Sequence, residues 1–195
     1  MEDRVLTLPN SITVLRLCLL PLFVWLLLGR HDRVAAGVVL AVMGATDWVD
    51  GYLARHLHQV STVGKVLDPV ADRLLLIGGI AAILADGAVP VWFAVLVLVR
   101  EGTVAAATVG LSALGARRID VTWFGKAGTF GLMCAFPLFL WGHAHTSWSS
   151  MSEVAAWLCA IPGLVLGLYA LVLYVPLARR ALAEGRSERP VEVTG

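Results

Sequence analysis

Residues 34–85 read VAAGVVLAVMGATDWVDGYLARHLHQVSTVGKVLDPVADRLLLIGGIAAILA, and this stretch decides the fold. Two apolar runs, Val34–Ala54 and Val66–Ala85, are joined by a short polar connection. Each run approaches the roughly 20 residues that a helix needs to cross a bilayer. Four aspartates stand where the first run ends and the second begins: Asp47, Asp50, Asp68 and Asp72. Their spacings of three and four residues place each pair on one helical face, so we expect four carboxylates at one end of an antiparallel helix pair.

Four further apolar runs surround this pair: Ile12–Leu28, Val89–Leu114, Trp123–His143 and Val154–Leu177. Of the 195 residues, 58% are hydrophobic and 15% are charged, and the mean hydropathy is +0.81. Soluble domains average about 45–50% apolar and about 25% charged residues. The sequence therefore predicts an all-α integral membrane bundle of six transmembrane helices, a single domain over residues 1–195 with a flexible tail at 179–195. A net charge of +1 gives no reason to expect nucleic acid as a partner.

The distribution of basic residues predicts the orientation in the membrane. With six spans, the side that holds both termini carries eleven of the 15 lysines and arginines: Arg4, Arg55, Lys65, Arg73, Arg117, Arg118, Lys126, Arg179, Arg180, Arg186 and Arg189. The opposite side carries only Arg30 and Arg33. Basic residues are enriched in cytoplasmic loops. We therefore expect both termini, and the aspartates with them, on the cytoplasmic side of the cell membrane.

The four aspartates need an electrostatic explanation. Carboxylates gathered in a pocket of low dielectric constant either take up protons or bind cations. Because all their ligand atoms are oxygen, they favour hard divalent ions such as Mg²⁺ or Mn²⁺. Two such ions would neutralise the cluster and hold a phosphate group. The alternative is a set of interfacial ion pairs with Arg55, Lys65 and Arg73, which accounts for two of the acids better than for four.

The surrounding residues carry a resemblance. Small residues and an arginine stand at fixed distances from the aspartates, giving the pattern DxxDGxxAR, then eight residues, then GxxxDxxxD: Asp47, Asp50, Gly51, Ala54, Arg55, Gly64, Asp68 and Asp72. This pattern resembles the signature of the CDP-alcohol phosphotransferase family, whose members are membrane enzymes. The resemblance implies two Mg²⁺ or Mn²⁺ ions held by the four aspartates, with Asp72 as the base that takes a proton from the acceptor hydroxyl. It also implies that the CDP pocket is formed by six of these residues: Asp47, Asp50, Gly51, Ala54, Arg55 and Gly64.

The same resemblance implies transfer of a phosphatidyl group from CDP-diacylglycerol to an alcohol, release of CMP, and a homodimer. Arg100 and Lys126 are the candidate acceptor-binding residues, and the alternative for Arg100 is a buried ion pair with Glu101 that orders the bundle. Phosphatidylglycerophosphate synthases resemble the region around Lys126 but carry a second lysine where this sequence has Gly128. Glycerol 3-phosphate is a dianion, whereas the phosphatidylglycerol headgroup is a monoanionic diester that needs less positive charge. We therefore expect phosphatidylglycerol as acceptor, a cardiolipin synthase activity, with glycerol 3-phosphate as the alternative.

Other classes of protein would also place acids in a membrane. A transporter or proton relay does so, but it has no need of glycine, alanine and arginine at this spacing. A membrane prenyltransferase binds Mg²⁺-diphosphate through acidic motifs of a different spacing. His143 and His145 could suggest zinc, but no cysteine or third histidine is near them in the sequence. The three cysteines stand singly in apolar runs, which is typical of small core residues.

Overall fold

The computed structural model describes residues 8–57, 64–113 and 122–187, and every regular element within them is helical. A short π-helix, Trp25–Gly29, extends the first α-helix. The six α-helices are α1 Leu8–Val24, α2 Arg33–Leu57, α3 Gly64–Asp86, α4 Val91–Ala113, α5 Trp123–Gly142 and α6 Ser149–Ser187. Each predicted apolar run coincides with one of these helices, so the all-α fold is confirmed.

Three segments among the described residues are long and apolar enough to cross a membrane: Ile12–Gly29, Trp123–Gly142 and Ser149–Tyr174. Within the part of α2 and α3 whose side chains are described, the apolar stretches are Arg33–Thr46 and Leu74–Asp86. Length and composition thus support three of the six predicted spans, and the six-span arrangement remains a proposal.

The helices contribute to two compact units. The first contains the described residues up to Ala94 together with Met133–Leu158. In it α1 packs against both α2 and α3, around buried side chains that include Phe23, Leu27 and Ile83. The second unit contains Val95–Leu132 and the described residues from Cys159 onward. Whether the chain behaves as one domain stays a prediction.

Helix α6 has a small-residue face and a large apolar face. Its exposed positions carry Met151, Val154, Leu158, Ile161, Val165, Leu168 and Val172. Its described buried positions are small except for Leu164: Ser152, Ala156, Ala160, Gly163, Leu164, Gly167 and Ala170. In water this distribution would be unfavourable, whereas in lipid large apolar side chains face outward and small residues let helices approach closely. The helix continues to Ser187, so residues 179–187 of the predicted tail are helical, and residues 188–195 lie outside the described part.

Candidate active site

An ion pair ties the start of α2 to the end of α3. Arg33 Nε donates to Asp86 Oδ2 at 2.9 Å, and Arg33 Nη2 donates to the Asp86 backbone carbonyl at 3.3 Å. The Asp86 side chain is 4% exposed, so this contact is largely shielded from water. Because the first residue of α2 meets the last residue of α3, and both helices pack on α1, the two helices run antiparallel.

The ion pair serves as a reference point from which the position of each aspartate along its helix can be counted. The first aspartate of α2 and the second aspartate of α3 each lie 14 residues from the ion pair, and the other two lie 17 and 18 residues from it. At about 1.5 Å per residue, these positions form two levels, about 21 Å and about 26 Å from the ion pair. The helix backbones therefore carry all four aspartates near the same end.

The side chains of the signature residues lie outside the described part of the structure. Of the eight, α2 carries Asp47, Asp50, Gly51, Ala54 and Arg55, and α3 carries Gly64, Asp68 and Asp72. Among the described side chains, no group of three or more histidine, cysteine, aspartate or glutamate residues could hold a metal ion. The donor set of the signature nevertheless fits hard divalent cations, since four carboxylates from two antiparallel helices supply oxygen ligands only.

Arg100 is a cation almost wholly enclosed by protein, with 3% of its surface exposed. Its Nη1 donates to Glu101 on the same helix and to Thr129 Oγ1 on α5, the latter at 3.0 Å. Its Nη2 donates to the Gly125 carbonyl at 3.2 Å. The sequence predicted an acceptor ligand at this position, and the structure shows a guanidinium that cross-links α4 to the start of α5.

Lys126 follows Gly125, whose carbonyl accepts from Arg100, and the Lys126 side chain is exposed. Thr122 stands just before α5 and accepts the Gly125 backbone N–H through its side-chain oxygen at 3.2 Å, the arrangement of a helix N-cap. The Thr122 carbonyl accepts the Lys126 backbone N–H at 3.1 Å. The first turn of α5 is thus fixed by a cap on one side and by Arg100 on the other.

Gly128 lies where α5 crosses α6 at close range. A Cβ atom at this position would stand 2.7 Å from the Gly167 nitrogen and 2.8 Å from the Gly163 carbonyl oxygen. Gly131 is nearly as confined, 3.1 Å from the Cys159 carbonyl oxygen. These obstacles are backbone atoms, which cannot rotate away as a side chain would. Gly128 is therefore a packing residue, which the sequence comparison alone did not reveal.

Residues 30–34 and 143–145 line a cleft of about 280 Å³ that includes both histidines considered for zinc. Arg33 reaches across it and donates to the His143 carbonyl at 2.6 Å. His143 Nδ1 lies 3.0 Å from the Phe139 carbonyl. His145 and His31 have left-handed backbones, with φ of 52° each. Arg33 and His143 thus both contact backbone carbonyls near the end of α5. The cleft therefore lies where contacts connect the ends of helices.

These features define a class, a helical membrane protein with an acidic helix pair and a buried cation. A family model for CDP-alcohol phosphatidyltransferases matches residues 6–174, and the chain belongs to that family. The chain is thus a transferase of phospholipid synthesis, and the transporter and prenyltransferase alternatives do not apply.

Relatives of two kinds match along most of their length. A Mycobacterium tuberculosis protein provisionally named as a cardiolipin synthase is 36% identical over 194 residues, 97% of this chain and 93% of the relative. The cardiolipin synthase (CMP-forming) of Streptomyces coelicolor is 38% identical over 183 residues, 91% of this chain and 85% of the relative. The CDP-diacylglycerol–glycerol-3-phosphate 3-phosphatidyltransferase of Escherichia coli K12 is 32% identical over 183 residues, 90% of this chain and 97% of the relative.

Proposed function

We propose that the protein is a cardiolipin synthase that transfers the phosphatidyl group of CDP-diacylglycerol to phosphatidylglycerol and releases CMP. The family assignment supports the transfer, and the Streptomyces coelicolor relative supports the acceptor. The observation that carries the choice of acceptor is the α5–α6 contact at Gly128, which leaves no room for the second lysine that a dianionic acceptor favours.

In this reaction the free hydroxyl oxygen of the acceptor attacks the phosphorus that bears the diacylglycerol. The bond from that phosphorus to the bridging diphosphate oxygen breaks, and the electron pair leaves with CMP. Asp72 takes the proton of the attacking hydroxyl. An aspartate close to bound cations stays ionised at neutral pH, so it is able to act as a base.

The four signature aspartates would hold two divalent cations, Mg²⁺ or Mn²⁺. When bound, such ions neutralise the diphosphate and the charge that develops on the departing CMP. Gly51, Ala54 and Gly64 would leave room for the nucleotide, and Arg55 would contact its phosphates. The axial match of the aspartate positions on α2 and α3 supports this assignment, because all four would reach one cavity.

Arg100 and Lys126 are the candidate groups for the phosphodiester of the acceptor. Buried, charge-assisted hydrogen bonds fix Arg100, and Lys126 is exposed in the adjoining turn of α5. One exposed lysine beside one buried arginine suits a monoanionic headgroup. Glycerol 3-phosphate is the second candidate acceptor, because the Escherichia coli relative is named for it.

For the membrane arrangement, we propose that all six α-helices cross the cytoplasmic membrane, with both termini and the active site on the cytoplasmic side. The excess of basic residues on that side supports this orientation. The likeness to the family supports a homodimer.

The experiment measures CMP release by the purified protein with CDP-diacylglycerol and Mn²⁺. Phosphatidylglycerol and glycerol 3-phosphate are offered in separate reactions, and the lipid product is identified by mass spectrometry. We expect CMP and cardiolipin with phosphatidylglycerol only. Product with glycerol 3-phosphate only would make the protein a phosphatidylglycerophosphate synthase, and no CMP with either would contradict the proposal.

A further inference from the structure

We propose that Thr129 is a positioning residue of the acceptor site, which holds Arg100 and the first turn of α5 in one geometry. This inference rests on the proposed function, because it concerns the residues assigned there to the acceptor. Thr129 is not part of the aspartate signature, and its importance follows from its contacts.

The Thr129 hydroxyl closes a ring of three hydrogen bonds. It accepts from Arg100 Nη1 at 3.0 Å and donates to the Gly125 carbonyl at 3.1 Å. Arg100 Nη2 donates to the same carbonyl at 3.2 Å. Because Gly125 immediately precedes Lys126, this ring connects the buried guanidinium to the backbone that carries the exposed lysine.

Besides the Gly125 carbonyl, the other described neighbours of Arg100 do not make this connection. Glu101 is adjacent to Arg100 on α4, so their ion pair lies within one helix. Arg100 Nε has no hydrogen-bond partner among the described residues, and a Cβ at Gly167 would stand only 2.8 Å from it. Of the side chains with a contact to Arg100 described above, Thr129 is the one that ties it to α5.

The consequence concerns affinity for the acceptor more than the chemical step. Without the hydroxyl, Arg100 keeps only the bond from its Nη2 to the Gly125 carbonyl among its described contacts with α5, so the separation between the two cations is less restrained. A binding site for a phosphodiester depends on that separation. The aspartates that take the proton and bind the nucleotide belong to other helices and should be unaffected.

The chain offers a matched control in Thr103. Like Thr129, it is an exposed helical threonine whose hydroxyl donates to the carbonyl four residues earlier, Val99 in this case, at 2.7 Å. Its hydroxyl has no described contact with a second helix. A comparison of Thr129→Val with Thr103→Val therefore isolates the bond to Arg100 from the bond within the helix.

The test uses full-length protein with Thr129→Val, Thr129→Ser or Thr103→Val. We expect Thr129→Val to raise the KM for phosphatidylglycerol about 3- to 10-fold, the effect of one lost hydrogen bond, with kcat and the KM for CDP-diacylglycerol unchanged. Thr129→Ser should restore the wild-type KM, and Thr103→Val should leave it unchanged. Hydrogen exchange of a peptide spanning 122–130 should be faster in Thr129→Val alone.

An unchanged exchange rate in Thr129→Val would overturn the inference, and so would an equal effect of Thr103→Val or no recovery with serine. If Thr129→Val fails to fold, Thr129→Ala is measured in the same way and against the same expectations. If the wild-type protein releases no CMP, the proposed function fails, and hydrogen exchange then decides by itself whether Thr129 ties Arg100 to α5.

Discussion

The α2–α3 pair and the contact between α5 and α6 are built on opposite principles. At one end of the first pair, charged groups hold the helices together, with Arg33 donating to Asp86 at 2.9 Å. At the α5–α6 contact the absence of side chains brings the backbones together, and a Cβ at Gly128 would lie within 2.8 Å of backbone atoms of α6. The comparison teaches that an ion pair leaves the far ends of its helices available for polar chemistry, whereas a glycine contact fixes the spacing of the backbones.

The largest expected effect is on the chemistry assigned to the first pair. Asp72→Asn should reduce CMP release by about 10²- to 10⁴-fold, because an amide cannot take the proton of the acceptor. The size-exclusion profile and thermal unfolding temperature should stay near those of the wild type. Full activity in this variant would exclude Asp72 as the base.

Asp86→Asn is the matched control for that variant, because it removes a carboxylate at the other end of α3. It should keep kcat within about twofold of the wild-type value while it lowers the free energy of unfolding by about 1.5–3 kcal/mol, the range for a hydrogen bond to a charged group. If activity fell as far in Asp86→Asn as in Asp72→Asn, the two ends of the helix would not be functionally distinct.

A smaller effect, on stability, is expected at the glycine contact. Gly128→Lys should lower the free energy of unfolding by about 3 kcal/mol or more, because the new side chain meets backbone atoms that must move apart. Gly102→Ala is the control, since nothing lies within 4 Å of a Cβ at that position, and it should change stability by less than about 1 kcal/mol. Thermal unfolding in detergent measures both.

Gly128→Lys also tests why this residue is a glycine. We expect no glycerol 3-phosphate activity in the variant, because its lysine cannot enter the contact without separating α5 from α6. A variant as stable as the wild type that used glycerol 3-phosphate would show that acceptor charge, and not packing, determines this position.

The sequence predicted the helices well, because apolar length and polar breaks determine where a membrane helix begins and ends. The fifth run was predicted as Trp123–His143 and the helix is Trp123–Gly142. Basic residues at the end of α6 suggested a tail, yet the helix continues to Ser187. The basic residues after Arg179 therefore do not mark the end of this helix.

Of the candidate site, the sequence predicted the helices that carry the aspartates, since the aspartates recur at helical spacing, and the roles of the aspartates stay predictions. The ion pair of Arg100 with Glu101 was foreseeable because the two are adjacent in the sequence. The hydrogen bonds of Arg100 to Thr129 and the Gly125 carbonyl were not, because they depend on how α4 packs against α5. Gly128 was interpreted as a missing lysine, whereas the structure gives it a packing role that depends on Gly163 and Gly167. Small residues leave no chemical pattern in a sequence that distinguishes a close contact from an empty space.

The central claim is that four aspartates on α2 and α3 form one site that must bind divalent ions before CMP is released. Its most direct test is a titration of EDTA-treated protein with Mn²⁺, with bound Mn²⁺ counted by electron paramagnetic resonance and CMP release measured in the same samples. We expect no turnover without metal, recovery as two Mn²⁺ ions bind each chain, and loss of both signals in Asp68→Asn. Turnover in EDTA, or the same Mn²⁺ binding in Asp68→Asn as in the wild type, would contradict the claim.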